Sequence, residues 1–152
     1  MAGEKTLIAF ATKGGTTEGY ANAIASVLRE EFMMGVDLIN LGKRHDPDLA
    51  PYRNLIVGTG VRIKKVYGDA TSFLERDFGD RKVAIYFSSL DTKEVVVKEY
   101  LEKILQQNAK LKPIAVEVFG GRMRLLGKTV QDKVDLDKAK EWARGIARQL
   151  QV

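Results

Sequence analysis

A chain of 152 residues has room for one domain of ordinary size, 1–152, and not for two. With 45% hydrophobic and 30% charged residues it carries enough apolar material for a core, which excludes wholesale disorder. The absence of Cys excludes disulfides, thiolate nucleophiles, iron–sulfur clusters and thiolate zinc sites, so any redox chemistry must come from a bound organic cofactor.

Hydrophobic periodicity alternates between two forms along the chain. Thr6 to Ala11 is a short apolar run suited to a buried strand. After it Tyr20, Ala21, Ile24, Ala25, Leu28 and Phe32 recur at helical spacing. Val36 to Leu41 reads as a second strand, and Gly42 to Arg53 has only weak helical signal. Asn54 to Gly58 reads as a third strand, followed by a helix ending with Phe73, Leu74 and Phe78. Lys82 to Ser88 is the fourth. The next helix carries Val96, Val97, Tyr100, Leu101, Ile104 and Leu105, with Asp91 and Glu94 as its capping pair although Val95 to Val97 is β-prone. Pro113 to Phe119 is the fifth strand, and Leu136, Ala139, Ala143, Ile146 and Leu150 mark the last helix, in which Trp142 reads as packing. Strands alternating with helices imply a parallel sheet covered on both faces by right-handed crossovers, and five strands suit the doubly wound order 2-1-3-4-5. Such α/β sheets bind ligands beyond the carboxyl ends of their strands, near the point where strand order reverses.

The loop after strand one reads Thr12, Lys13, Gly14, Gly15, Thr16, Thr17 and Glu18, a phosphate-binding composition between a strand and a helix start. Glycines let the backbone turn tightly and present N–H groups, and threonine hydroxyls add donors to those of the helix N-terminus. A plain tight turn with Thr16 or Thr17 as N-cap is the alternative reading. The dinucleotide pattern G-x-G-x-x-G is absent from this loop, and Gly58-Thr59-Gly60 has only its first half. Gly121 to Thr129 is one residue too long for a nucleoside-triphosphate loop and is filled with bulky side chains. A phospho-accepting Asp at the end of strand three is also absent, since Gly58-Thr59 stands there. The single His45 lies among Arg44, Asp46 and Pro47 in what reads as an exposed loop, which argues against a catalytic triad or a histidine metal site.

The T-K-G-G-T-T-E segment resembles the FMN phosphate loop of the flavodoxin superfamily, and length and element order agree with a flavodoxin-like fold. Y-R-N-L-I-V-G-T-G-V-R-I-K-K and V-E-V-F-G-G-R-M-R resemble more narrowly the branch containing flavodoxin-type protoporphyrinogen oxidases. The resemblance implies FMN as cofactor, with the flavin ring between the loops after strands three and four. Carried over residue by residue, it names Thr59, Gly60, Val61, Arg62 and Ile63 on one side and Ser88, Ser89, Leu90 and Asp91 on the other. Gly120, Gly121 and Arg122 follow strand five at the same sheet end, where small residues permit close approach to a ligand; a plain turn is the alternative. Flavodoxins often sandwich the ring between aromatics, whereas the candidates here are Ile63, Leu90 and Tyr67, giving up stacking worth on the order of 1 kcal/mol per aromatic pair.

Net charge is +5, and Arg62, Lys64, Lys65, Arg122 and Arg124 are expected in loops at the flavin end, where positive charge favours the anionic reduced flavin. The leading expectation is a flavodoxin-like redox protein exchanging electrons with a partner protein or an anionic small molecule, with no catalytic acid or base. The alternative implied by the branch is oxidation of protoporphyrinogen with a quinone as acceptor, although the loop after Arg124 reads as too short for an apolar membrane-docking helix. A flavin-free module binding acidic protein is the third reading. Nucleic acid is not expected, because aromatics are not interleaved with the basic residues. No apolar run approaches the roughly 20 residues of a membrane span and no signal-peptide pattern is present, so a cytoplasmic location is expected.

Overall fold

A computed structural model describes residues 3–62 and 64–152. Five parallel strands form the main sheet: β1 (Lys5–Ala11), β2 (Val36–Asn40), β3 (Tyr52–Arg62), β5 (Lys82–Ser89) and β6 (Ala115–Gly120). They lie in the order β2-β1-β3-β5-β6, which is the expected 2-1-3-4-5 when the parallel strands alone are counted. Two short additions were not foreseen: β4 (Lys65–Val66), antiparallel to the end of β3, and a separate hairpin of β7 (Arg122–Leu125) and β8 (Lys128–Asp132).

Alternation of side chains along each strand sends successive residues to opposite faces. Leu7, Ala9, Leu55, Val57, Ile85 and Phe87 belong to one core cluster, and Ile8, Phe10, Ile56, Ala84 and Tyr86 to the other. Helices α1 (Thr16–Phe32) and α5 (Leu136–Gln151) cover the second cluster. The first is covered by α2 (Gly68–Leu74) and by a continuous helical segment made of α3 (Lys93–Val96), a π-helical turn (Val97–Leu101) and α4 (Glu102–Gln107). Trp142 packs edge-on against Phe119 and Tyr86 at centroid distances of 5.7 and 6.2 Å, as its helical position predicted. Among the described residues no helix is long and apolar enough to cross a membrane.

Local departures from the sequence reading have physical causes. α2 stops at Leu74 and not at Phe78, yet Phe78 is still buried, its ring 5.3 Å from that of Phe73, so the apolar period marked burial without helix. Gly42 to Arg53 forms no helix. The segment after Leu90 is capped by Thr92, whose hydroxyl accepts from Val95 N, and not by Asp91. The β-prone Val95 to Val97 is helical because Val96 is needed in the core.

Candidate functional site

β1 ends at Ala11 and the chain turns through Thr12 to Gly15 into α1. Gly15 occupies the N-cap with φ +89, a left-handed conformation that costs a residue with a Cβ about 1 kcal/mol or more. The turn is closed by Gly15 N donating to Thr12 Oγ1 at 2.9 Å. Nothing lies within 4 Å of where a Cβ on Gly14 or Gly15 would stand, so the loop encloses open space. Neither Thr16 nor Thr17 is the N-cap. The Thr17 and Ser88 hydroxyls pair at 2.8 Å in a buried bond that ties the start of α1 to the end of β5. Tyr86 donates to Thr17 O at 2.8 Å beneath them.

The carboxyl ends of the strands open into a cavity of about 670 Å³. Thr12, Lys13, Gly14, Thr16 and Thr17 line it from the first loop, Gly60, Val61 and Arg62 from β3, Ser88, Ser89, Leu90 and Asp91 from β5 and beyond, and Gly121 and Arg122 from the hairpin base. Thr59 is fully buried with its hydroxyl donating to Gly60 O, so it serves the strand and not the cavity wall. Gly120 also stands apart: a Cβ there would lie 2.8 Å from Lys133 Cβ and overlap that residue's carbonyl, so its small size lets the two ends of the hairpin cross. Lys133 N donates to Gly121 O at 2.9 Å to close this base. Tyr20 bridges it to α1, donating to Gly120 O and accepting from Asp135 N. Ile63 lies outside the described residues.

Thr59 to Arg62 were expected in a loop but belong to an eleven-residue strand, because Thr59 and Gly60 pair with Phe87 and Ser88 of β5, and Val61 and Arg62 with Val66 and Lys65 of β4. The expected basic loop is therefore mostly strand, with Lys64 in the turn at φ +60. Arg122 and Arg124 likewise stand on β7. Arg122 is paired with Asp132 at 3.1 Å, whereas among the described residues Arg62, Lys64 and Arg124 make no ion pair. With Lys13 they place five basic side chains on the cavity against one carboxylate, Asp91.

Three lining residues escaped the sequence reading: Tyr100, Met123 and Leu125. Tyr100 falls on the apolar stripe of its helix and packs against the core, yet it also lines the cavity. It stands in the π-helical turn Val97–Leu101, in which Leu101 is buried, as is Ile104 after it. Tyr67 supplies a second ring, with Lys13 Nζ 5.1 Å from its centroid. Gly60 makes room for it, since a Cβ there would lie 2.8 Å from the ring. Burial raises the Tyr67 phenol, opposed by Arg62, and burial followed by the Asp91 charge raises that of Tyr100, so both remain protonated hydrogen-bond donors near neutrality.

Comparison with solved structures returns the same architecture. Flavodoxin 2 from Bacillus cereus superposes with a TM-score of 0.67 at 22% identity, covering 95% of this chain and 99% of that one. The rubredoxin oxygen:oxidoreductase from Desulfovibrio gigas superposes at 0.66 and 17% identity, covering 98% of this chain and 36% of that larger one. A flavodoxin, WrbA-like protein from Agrobacterium tumefaciens reaches 0.61 at 13% identity, with 96% of each chain covered. No curated protein sequence matches. At these identities the structures speak for the fold alone, but a flavodoxin-domain family model matches residues 7–141: the chain belongs to the flavodoxin family, whose cofactor is FMN.

Proposed function

We propose that this protein carries electrons through FMN held at the carboxyl end of its sheet, with the phosphate in the Thr12–Thr17 loop and the ring between β3 and the segment after β5. One observation carries the reading: the first loop, the β3–β4 turn and the Ser88–Asp91 segment, far apart in sequence, converge on one cavity.

The donor set fits a phosphate ester. Thr12 Oγ1 accepts from Gly15 N, which leaves its own proton to donate outward. One hydroxyl of the Thr17–Ser88 pair must likewise have a proton to spare. Thr16, Thr17 and Glu18 begin a seventeen-residue helix whose first N–H groups have no intrahelical acceptor. Gly60, Val61, Arg62 and Tyr67 would flank the ring on one side, and Ser88, Ser89, Leu90, Asp91 and Tyr100 on the other. Tyr100 joins Tyr67, already a candidate in the sequence, so that an aromatic ring is available on each side. When bound, FMN supplies one- and two-electron chemistry; the protein supplies position, a water-poor wall and positive charge. That charge favours a reduced flavin anion and an acidic or anionic partner.

The same cationic mouth suits a propionate-bearing tetrapyrrole, which is the protoporphyrinogen reading with a quinone as acceptor. The family match does not distinguish this branch, and the five cations on the cavity are the observation in its favour. An absorption spectrum and an FMN titration of the purified protein test the main reading. Flavin bands approaching one FMN per chain are expected, with binding weakened about tenfold or more by Thr17→Val, which breaks the Thr17–Ser88 hydroxyl pair. A colourless protein whose melting temperature does not respond to excess FMN overturns it. Stopped-flow mixing of the loaded protein with protoporphyrinogen and a quinone then separates enzyme from carrier.

A further inference from the structure

The β7–β8 hairpin leaves apolar side chains in solvent directly beside the cavity. Among the described residues its strands pair with each other and with no strand of the main sheet, and every residue of both is exposed. A two-stranded ribbon is marginal in water by itself. This one nevertheless carries Met123, Leu125 and Val130 about half exposed, and at its tip Leu126, which is 98% exposed. Leu126 sits at φ +51, a left-handed conformation unusual for leucine, followed by Gly127 at φ +78. The turn thus spends backbone strain on a side chain that touches almost nothing of its own chain.

The charges around that leucine are of one sign. From Gly121 to Gln131 the chain holds Arg122, Arg124 and Lys128 and no carboxylate. Asp132, at the base, is occupied by Arg122. Arg124 and Lys128 flank the tip in sequence, two residues to either side of it. Across the cavity mouth Lys13, Arg62 and Lys64 extend the same positive field.

We propose that this hairpin docks the protein on an anionic lipid surface, with Leu126 entering the acyl boundary and Arg124 and Lys128 against the headgroup phosphates. A projecting leucine between long cationic side chains matches that interface: the apolar group leaves water while the flanking stems stay apolar and their charged ends reach the headgroups. An acidic protein would also attract the cations, but a lone leucine at a turn adds affinity there only with a matching pocket. Docking in this way brings the cavity mouth to the bilayer. It makes no use of what the cavity holds, so it stands or falls separately from the flavin reading.

Co-sedimentation with vesicles of phosphatidylcholine alone, or mixed with phosphatidylglycerol, tests the proposal on the full chain. Binding is expected only to the anionic vesicles and is expected to weaken with salt. L126E and K128E should each weaken it about tenfold while the melting temperature and FMN titration stay unchanged, because neither side chain lines the cavity. In L126W, the introduced indole should shift its emission to the blue on binding and be quenched by brominated acyl chains. Absence of vesicle binding overturns the proposal, including when the protein is retained on polyglutamate, which would make the cations a protein-docking patch. Binding that L126E leaves unchanged also overturns it, since adsorption would then follow from the net charge of +5 alone.

Discussion

Gly58 lies at the heart of β3, and its hydrogen side chain is what lets Tyr86 of the neighbouring strand lie flat beneath the first turn of α1. The two residues are register partners. A Cβ at position 58 would stand 2.5 Å from Tyr86 Cε1 and overlap the ring's Cζ and hydroxyl oxygen. Ordinary carbon contact is roughly 3.5 Å, so the ring must move by about 1 Å or more. It has nowhere easy to go: Tyr86 is fully buried and its ring packs against Tyr20, Phe119 and Trp142. Overpacking of this kind costs about 1–3 kcal/mol. Displacing the ring also breaks the Tyr86 hydroxyl's bond to Thr17 O, worth about 1 kcal/mol.

Gly58→Ala is therefore expected to destabilise the protein by about 3 kcal/mol, which at 2–4 °C per kcal/mol for a domain of this length lowers the melting temperature by about 9 °C. Denaturant unfolding monitored by circular dichroism measures the effect. Tyr86→Leu removes the ring end and leaves a cavity, so the double variant G58A/Y86L should be more stable than the sum of the two losses by about 1 kcal/mol or more, the added methyl filling vacated space. Because Tyr86 holds the carbonyl of Thr17, G58A should also weaken FMN binding measured well below its melting temperature. A G58A protein within 0.5 kcal/mol of wild type, or strictly additive losses in the double variant, would refute the packing argument.

Tyr52 donates to Asp37 at 2.7 Å; this bond, then Lys5, holds the carboxyl below the usual carboxylate range, while burial and the Asp37 bond push the phenol up to about 12. The carboxylate's contribution is present above an ordinary pKa of about 4 and fades as pH falls through its lower folded value, and the phenol's is present below about 10 and fades as pH rises through the folded value. Tyr52→Phe should accordingly cost about 1 kcal/mol between about pH 5 and 9, with the difference from wild type closing on the acid and the alkaline sides; a gap independent of pH from 2 to 9 would count against it. Reversing the unpaired Arg62 to Glu should lower the potential of the second one-electron reduction of bound FMN by on the order of 30 mV at low salt, exposure and screening limiting the effect. Arg122→Glu should also lower it, although this variant additionally breaks the Asp132 pair. Spectroelectrochemical titration reads both, and an unmoved potential for Arg62→Glu would remove charge from the account of the site.

Periodicity was enough to place the five parallel strands and to imply helices on both faces, because a strand buried on two sides needs a continuous apolar run and a covering helix needs a stripe; the strand order followed from the doubly wound arrangement that such an alternation suits. The turn into α1 was legible for a related reason: Gly15 at positive φ and the Thr12 hydroxyl that closes the turn are dictated by local backbone geometry, and local geometry is written in adjacent residues. What could not be read there depends on residues distant in sequence. Thr59 and Gly60 became strand by pairing with β5, Val61 and Arg62 by pairing with β4, and Gly120 is small on account of Lys133, not of a ligand. Tyr100 keeps a helical apolar spacing in the sequence and packs against the core as that spacing implies, but it stands in a π-helical turn and also lines the cavity, which adjacent residues do not reveal. Composition supplied the positive charge, but whether a given arginine is free or already neutralised, as Arg122 is by Asp132, was decided by chain segments brought together in three dimensions, since electrostatic energy depends on distance in space and not along the chain.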